Sequence, residues 1–189
     1  MLVGYQPKLL LARFDDKWYL PRGRAHSTHI LKPRLPGRPD GLAREHYGHA
    51  LAAELGLARY AHAKNLAILH LPGQSVLADM YHAVPNLFQD GRIECNLALA
   101  IDGSFDHQRI SAAHLIREAE RWNALSTGEA ERVVTATLAD FAKALDRVTV
   151  PPGVPAPATA QLAWNVERLQ AGAEIGERPS GYRRRRSRP

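Results

Sequence analysis

The segment HAKN, residues 62–65, brings together residue types that could take part in phosphoryl transfer. That reaction depends mainly on positioning and on neutralising the charge of the phosphates. An asparagine such as Asn65 can bind Mg²⁺ through its oxygen, and Lys64 precedes it in the same segment. The pattern favours a catalytic-loop interpretation in which His62 is a further loop residue. His62 could instead be an ordinary turn histidine that is satisfied by the backbone.

The elements that would position this segment begin with β-strands. Residues 9–20, LLLARFDDKWYL, predict two short strands joined by a turn at Asp15–Asp16, and a third short strand is predicted at 29–32. After a loop rich in Pro and Gly, Asp40 is suited to cap an alanine-rich helix that ends at Gly56. The apolar face of this helix is predicted to consist of Tyr47, Ala50, Leu51 and Leu55.

Beyond the HAKN segment the pattern changes from strands to helices. Residues 65–81 predict two strands around a Pro-Gly turn, and 97–103 predict either another strand or the entry to a helix. Ser111 is suited to cap one helix, and Ser126 with Glu129 forms the capping-box pattern of another. The second of these helices carries a continuous apolar stripe made of Ala130, Val134, Leu138, Phe141, Leu145 and Val148.

The C-terminal part is predicted to be less regular. PPGVPAPATA, residues 151–160, predicts a linker. QLAWNVERLQAGAEIG, residues 161–176, could form one more short helix docked by Trp164 or Leu169. Trp122 and Trp164 occupy apolar helical positions, which favours packing over base stacking. The remainder is predicted to be disordered.

Composition and charge bound the class of protein. The 189-residue chain is long enough for one ordinary domain with or without appendages, and its single cysteine, Cys95, excludes an internal disulfide. No apolar run approaches about 20 residues, and the start MLVGYQPKLLLARF lacks the pattern of a signal peptide. A cytoplasmic protein without membrane association is therefore the default expectation.

The net charge of +6 is concentrated in the last residues. Residues 183–189 contain five arginines and no acid, and the rest of the chain has 20 basic and 19 acidic residues. Such a run can contact the phosphates of a nucleic acid through counterion release. A solvated end that promotes solubility is an equally open interpretation.

Three blocks of the sequence together carry a family resemblance. They are GYQPKLLLARFDDKWYLPRGRAHSTHILKP (4–33), REHYGHALAAELGL (44–57), and AHAKNLAILHLPG (61–73) continued by LALAIDGSFDHQRISAAHLI (97–116). In this order they resemble the kinase domain of the HipA family, the bacterial Ser/Thr kinase toxins of toxin–antitoxin pairs. The resemblance covers roughly residues 4–148. It implies ATP and Mg²⁺ as cofactors and a DNA-binding, antitoxin-like protein as a partner.

The resemblance also implies a role for individual residues. Lys32 matches the lysine that holds the nucleotide phosphates, with Lys8 and the backbone of Gly4–Gln6 in the loop above them. Glu45 matches the glutamate that orients this lysine, and Asn65 matches an asparagine ligand of Mg²⁺. Without the resemblance, Lys32 would be interpreted as a surface lysine at a strand end. Glu45 would be interpreted as a solvated charge on a helix.

Two carboxylates that the family needs are replaced in this chain. The aspartate that accepts the hydroxyl proton of the protein substrate corresponds to Tyr60. A phenol with an ordinary pKa near ~10 is a poor base at neutral pH. The metal-binding aspartate corresponds to His82, and neutral imidazole is a poor ligand for the hard Mg²⁺ ion.

The spacing of the blocks differs from the family as well. Only residues 57–61 separate Gly56 from His62, and five fully extended residues span about 17 Å. This is too short for the hinge and scaffold of a bilobal kinase, so the sequence resembles a kinase domain with a large internal deletion.

The predicted fold class is α+β, a protein-kinase-like remnant with a small N-terminal β-hairpin lobe and a mainly helical C-terminal lobe. The predicted segments are an N-lobe remnant with the phosphate-loop hairpin (1–40), a linking helix (41–57), a catalytic-loop-like hairpin with a helical C-lobe (58–148), and a Pro-rich linker with a disordered Arg-rich tail (149–189). Two functions stay open. One is a HipA-like kinase by descent with impaired or absent activity, and the other is a non-catalytic module that binds an antitoxin-like protein or nucleic acid.

Overall fold

The structure of this chain is a computed structural model that describes residues 9–23, 27–33, 40–56, 68–71, 73–77, 84, 96–123 and 125–183. The described part is α+β, with small antiparallel sheets and four α-helices. This confirms the predicted fold class at that level. The chain divides into two compact units, Met1–Leu42 and Ala43–Pro189.

The first unit contains a three-stranded antiparallel sheet. Its strands are β1 (Leu9–Phe14), β2 (Lys17–Tyr19) and β3 (His29–Leu31), and β1 lies in the middle. Asp15 and Asp16 join β1 to β2 with φ angles of 48° and 60°, in the left-handed region that aspartate tolerates better than most residues. The two strands and the turn predicted from LLLARFDDKWYL are confirmed, as is the short third strand.

The second unit begins with helix α1 (Gly41–Glu54). Tyr47 and Leu51 are buried on one face of α1 and form the core with Ala144. Leu55 packs against the same core, which confirms the apolar face predicted for this helix. The helix ends before Gly56, whose φ of 67° is a conformation that glycine adopts without a steric penalty.

Two β-hairpins follow in the second unit. Strands β4 (Ile68–Leu71) and β5 (Gln74–Leu77) pair antiparallel, as the strand–turn–strand pattern predicts. Strands β6 (Asn96–Ile101) and β7 (Ser104–Asp106) form the other hairpin. The region around 97–103 is therefore a strand and not the entry to a helix. Strand β7 was not predicted, although the Asp102–Gly103 dipeptide in the turn is a strong hairpin signal.

Helices α2 (Ala112–Arg121) and α3 (Thr127–Arg147) begin at their predicted caps. The Glu129 carboxylate accepts hydrogen bonds from Ser126 N at 2.9 Å and Ser126 Oγ at 2.6 Å, which confirms the capping box. The predicted apolar stripe of α3 is the less exposed side of this helix, and Ala130 is fully buried. Trp122 is not a packing anchor, because it follows the last turn of α2 and is 70% exposed.

Helix α4 (Ala156–Gln170) starts inside the stretch predicted to be a linker. Pro155 stands at the N-cap and Pro157 in the first turn, where the missing N–H groups of proline remove no helical hydrogen bond. The proline-rich composition thus marks the start of a helix as well as a break. Helix α4 packs on α3 and buries Ala158, Gln161, Ala163 and Val166.

Candidate functional site

Two of the predicted nucleotide-site residues, Lys32 and Glu45, lie within the described part of the chain. The other predicted site residues lie outside it: Gly4, Gln6, Lys8, Tyr60, His62, Lys64, Asn65 and His82. Lys32 belongs to the first unit and Glu45 to the second.

Lys32 directly follows strand β3, which is an edge of the three-stranded sheet. The pairing of Leu9 with Leu31 fixes the register of this edge strand up to the residue before Lys32. The lysine side chain is partly buried and has interaction partners. A regular strand thus fixes the backbone position from which the Lys32 side chain extends. A lysine that holds phosphates requires such a fixed position.

Glu45 lies in the N-terminal half of helix α1 and is 8% exposed. The alternative of a solvated charge on an exposed helix face is therefore wrong. Its neighbour Arg44 is 4% exposed, and both residues have interaction partners. Burying a carboxylate without compensation is costly, so a buried glutamate on a regular helix is held in place by the groups around it. Such a carboxylate can orient a cation.

A second polar cluster, which the sequence analysis did not single out, lies in the second unit. His107 stands in a 3₁₀ turn (His107–Arg109) after β7 and is 5% exposed. On α4, Gln161 Nε2 donates to Asn165 Oδ1 at 2.8 Å, and Gln161 Oε1 accepts from Arg178 Nε at 3.0 Å. A visible sequence signal was the i, i+4 spacing of Gln161 and Asn165, which places both amides on one side of a helix.

Burial lowers the pKa of His107 below its ordinary value of 6.5. The nearby charge of Asp106 and the side chain of Asn165 act in the opposite direction but do not outweigh it. Neither ring nitrogen of His107 has a hydrogen bond of good geometry within the described residues, so the interaction with Asn165 that raises its pKa is a poorly aligned one. The imidazole is therefore neutral at pH 7.

A third polar cluster fastens the β6–β7 turn to α2. The Asp102 carboxylate accepts from Arg117 Nε at 2.5 Å and lies 3.3 Å from an Arg121 nitrogen. Its backbone N–H donates to Glu118 at 2.8 Å. The hydrogen bond from Arg117 lowers the pKa of Asp102, and the positive charges of Arg117, Arg121 and His114 lower it further. Desolvation by burial raises this pKa but does not outweigh them. Since these groups satisfy one another, the cluster is structural.

The donor residues that the resemblance offers for Mg²⁺ do not fit this ion. Asn65 supplies one neutral oxygen, and His82 supplies a nitrogen where a carboxylate is needed. Within the described ranges, no group of three or more His, Cys, Asp or Glu side chains is placed to hold a metal ion.

The comparisons with known proteins leave the family of this chain open. No family model and no curated protein matches it. No helix in the described part of the chain has both the length and the apolar character needed to cross a membrane.

Proposed function

We propose that this chain is a HipA-type protein Ser/Thr kinase by descent in which transfer of the ATP γ-phosphate to a protein hydroxyl is impaired. One observation carries the proposal: Lys32, Glu45 and the HAKN segment occur in the family's order, while Tyr60 and His82 stand where the two aspartates are needed. The order supports descent, and the two replacements support the loss of activity.

The described residues add physical support to the descent. Lys32 follows a strand of a small antiparallel sheet, and Glu45 is buried on the helix that comes next along the chain. A kinase-like remnant with a small β lobe and a mainly helical part would have this order of elements. Burial of Glu45 supports a fixed position for this carboxylate, because a glutamate is rarely buried unless it is paired.

The loss of activity follows from the chemistry of the replaced groups. The Tyr60 phenol cannot accept the proton of an attacking hydroxyl at neutral pH. The His82 imidazole is a weak substitute for a carboxylate beside Mg²⁺ and triphosphate oxygens. Both defects act on the phosphoryl-transfer step, which relies on positioning and charge neutralisation.

The test is an autophosphorylation assay with radiolabelled ATP and Mg²⁺. We expect no incorporation above background for the unmodified chain and a measurable gain for the double variant Tyr60→Asp/His82→Asp. The matched control is Tyr19→Asp/His46→Asp, which makes the same chemical changes at two exposed residues. Robust phosphorylation by the unmodified chain would show that the activity is not impaired.

A thermal-shift measurement with ATP and Mg²⁺ tests the nucleotide site separately. We expect ATP to raise the Tm of the Tyr60→Asp/His82→Asp variant, and Lys32→Ala to reduce this rise. Lys17→Ala is the control, because Lys17 is an exposed lysine of the same sheet. If the double variant gains neither ATP binding nor activity, the short spacing between Gly56 and His62 becomes the better explanation of the defect.

The arginine run supports a second candidate function, a non-catalytic module that binds nucleic acid or a DNA-binding, antitoxin-like protein. Residues 183–189 carry five arginines without an acid, on a body whose charges nearly balance. A chain that ends after Tyr182 removes the run but retains the contact of Tyr182 with Trp164. For duplex DNA we expect the salt dependence of log K to fall by up to about 0.9 for each arginine that contacts a phosphate. Equal low-salt binding by both chains would exclude this role of the run.

A further inference from the structure

The segment 173–182, which we call the C-terminal strap, is fastened to the second unit by backbone hydrogen bonds. Ile175 N donates to Ile110 O at 2.9 Å, and Gly176 N donates to Gln108 O at 2.7 Å. The strap thus pairs with the backbone around the 3₁₀ turn that contains His107. Ile175 is buried at 4% exposure, so the pairing also covers an apolar side chain.

Side chains of α4 hold the strap from its other side. Trp164 Nε1 donates to Ile175 O at 2.9 Å, and Arg168 Nε donates to Glu174 O at 2.9 Å. The ring of Trp164 also meets Tyr182 edge to face, with 5.1 Å between centroids. Trp164 is therefore a packing anchor, as predicted from the sequence. The strap residues Arg178 and Tyr182 were predicted to be disordered. In the structure, Arg178 binds Gln161 and Tyr182 contacts Trp164, both on α4.

His107 is buried where the 3₁₀ turn, α4 and the strap meet. The carbonyl of the next residue, Gln108, receives the Gly176 N–H of the strap. On the α4 side, Asn165 is near His107 and is linked through Gln161 to Arg178 of the strap. A polar ring without a well-formed hydrogen bond is thus enclosed at the base of the strap.

The elements packed at this point carry several charged residues. They are Asp106 on β7, Arg109 on the same turn, Glu167 and Arg168 on α4, and Glu174, Glu177 and Arg178 on the strap. Of these, Asp106 favours the protonated ring through its charge, but burial dominates. A positive charge on His107 would therefore be poorly compensated while the strap is closed.

We propose that the C-terminal strap is a pH-responsive latch, which is closed over neutral His107 near pH 7 and opens when this histidine becomes protonated. The strap connects α4 to the arginine run at residues 183–189. Release of the strap would therefore lengthen the linker between α4 and these arginines. Acidification would then extend the reach of the arginines. The proposal concerns the second unit and does not depend on kinase ancestry.

The direction of the effect follows from proton linkage. With the strap open, His107 is exposed and has an ordinary pKa near ~6.5. With the strap closed, the pKa of His107 is lower. The closed form therefore binds fewer protons, and lowering the pH below about 6.5 favours opening. The opening equilibrium can rise at most about tenfold per pH unit, until the pKa of the closed form is passed.

Amide hydrogen exchange of the full chain, followed by NMR, tests the latch directly. The reporters are the amides of Ile175 and Gly176, and the reference is the Val148 amide, which donates to Ala144 O at 2.9 Å beside the core. Between about pH 7 and about pH 5, we expect the reporters to lose protection severalfold after correction for intrinsic exchange. Val148 should keep its protection. An unchanged reporter, or equal loss at Val148, would overturn the proposal.

Variants of His107 identify the titrating group. In His107→Phe, and in His107→Gln as a second variant, we expect the protection of Ile175 and Gly176 to become independent of pH. Val148 protection in each variant reports whether the unit is folded. The control His46→Gln removes an exposed histidine of α1 and should keep the response of the parent chain. If both folded His107 variants retain the parent's pH response, His107 is not the sensor.

Discussion

The two units of the chain differ in how much apolar surface their described residues bury. In the first unit, the buried apolar residue of the described sheet is Ala12. Most of the large apolar side chains on this sheet and its flanks are between 37% and 61% exposed, and Leu11 on β1 is partly buried. The exposed ones are Leu9, Leu10, Phe14, Trp18, Tyr19, Leu20, Ile30 and Leu31. In the second unit, Tyr47, Leu51 and Ala144 are nearly inaccessible and are surrounded by partly buried neighbours.

This difference separates what determines local structure from what stabilises it. Turn residues and strand pairing are sufficient to set the register of a small sheet. Stability, however, comes mainly from apolar surface removed from water, at roughly 25 cal/mol per Å². A three-stranded sheet whose apolar residues stay exposed gains little from this term. Each unit contains one of the residues proposed to bind nucleotide, because Lys32 lies in the first unit and Glu45 in the second.

The largest expected effect is on the two units made as separate chains. We expect residues 40–189 to unfold cooperatively and to keep the circular dichroism of a helical protein, since the core lies there. We expect residues 1–39 to show no cooperative thermal transition. Division before Asp40 leaves helix α1 intact. A cooperative transition of the isolated 1–39 chain would break the comparison.

The next largest effect concerns two tyrosines, one in each unit. Tyr47 is 1% exposed in the core, and its replacement by alanine should lower the free energy of unfolding by about 3–5 kcal/mol, as for other buried aromatic residues. Tyr19 on β2 is 48% exposed, so Tyr19→Ala should change the free energy of unfolding by about 0.5 kcal/mol or less. Urea unfolding followed by helical circular dichroism measures both. Equal losses for the two variants would contradict the assignment of the core to the second unit.

The parts of the fold that were predicted correctly are those encoded by neighbouring residues. The Asp15–Asp16 turn, the Ser126–Glu129 capping box and the apolar face of α1 each depend on side chains within about two helical turns of one another. These patterns specify an element without knowledge of its partners. The α+β class could be inferred from them.

The errors and omissions come from contacts between residues far apart in the chain. Trp122 and Trp164 both occupy apolar helical positions. Trp164 packs against the strap, whereas Trp122 does not and is 70% exposed. The surroundings of His107 likewise include Asn165 of α4 and the strap, which lie far beyond it in the chain. The burial of Glu45 was also not predicted. A charged residue on a helix is normally solvated, and local sequence cannot reveal its burial.

A smaller effect tests how tightly the core of the second unit is packed. Ala144 is fully buried between Tyr47 and Leu51, so Ala144→Leu should overfill this space and lower the free energy of unfolding by about 1–3 kcal/mol. Ala136→Leu makes the same change on the exposed side of α3 and should leave stability nearly unchanged. Chemical denaturation of both variants measures the difference. If Ala144→Leu is tolerated as well as Ala136→Leu, the core contains unfilled space.

The smallest expected effect concerns exposed polar pairs, which both units have. In the first unit, Arg13 and Asp16 form an ion pair at 2.7 Å with exposed side chains, so Asp16→Asn should change stability by less than about 1 kcal/mol. In the second unit, the hydrogen bonds from Ser126 lower the pKa of Glu129 below its ordinary value of 4.5. A carboxylate with a lowered folded-state pKa stabilises the protein above the unfolded value, and this contribution disappears as the pH falls through the folded value.

Glu129→Gln therefore gives a prediction with a definite sign. Glutamine can also complete a capping box, so the variant keeps the geometry while removing the charge. We expect the unmodified chain to have a higher Tm than Glu129→Gln at neutral pH, and the difference to vanish below the folded-state pKa of Glu129. Thermal unfolding followed at 222 nm, about the helical minimum, measures this difference against pH. A difference that persists unchanged in acid would mean that the Glu129 charge does not stabilise α3. The start of this helix would then depend on the uncharged hydrogen bonds of the capping box and on burial of Ala130, which would make local geometry and packing dominant over charge at this helix end.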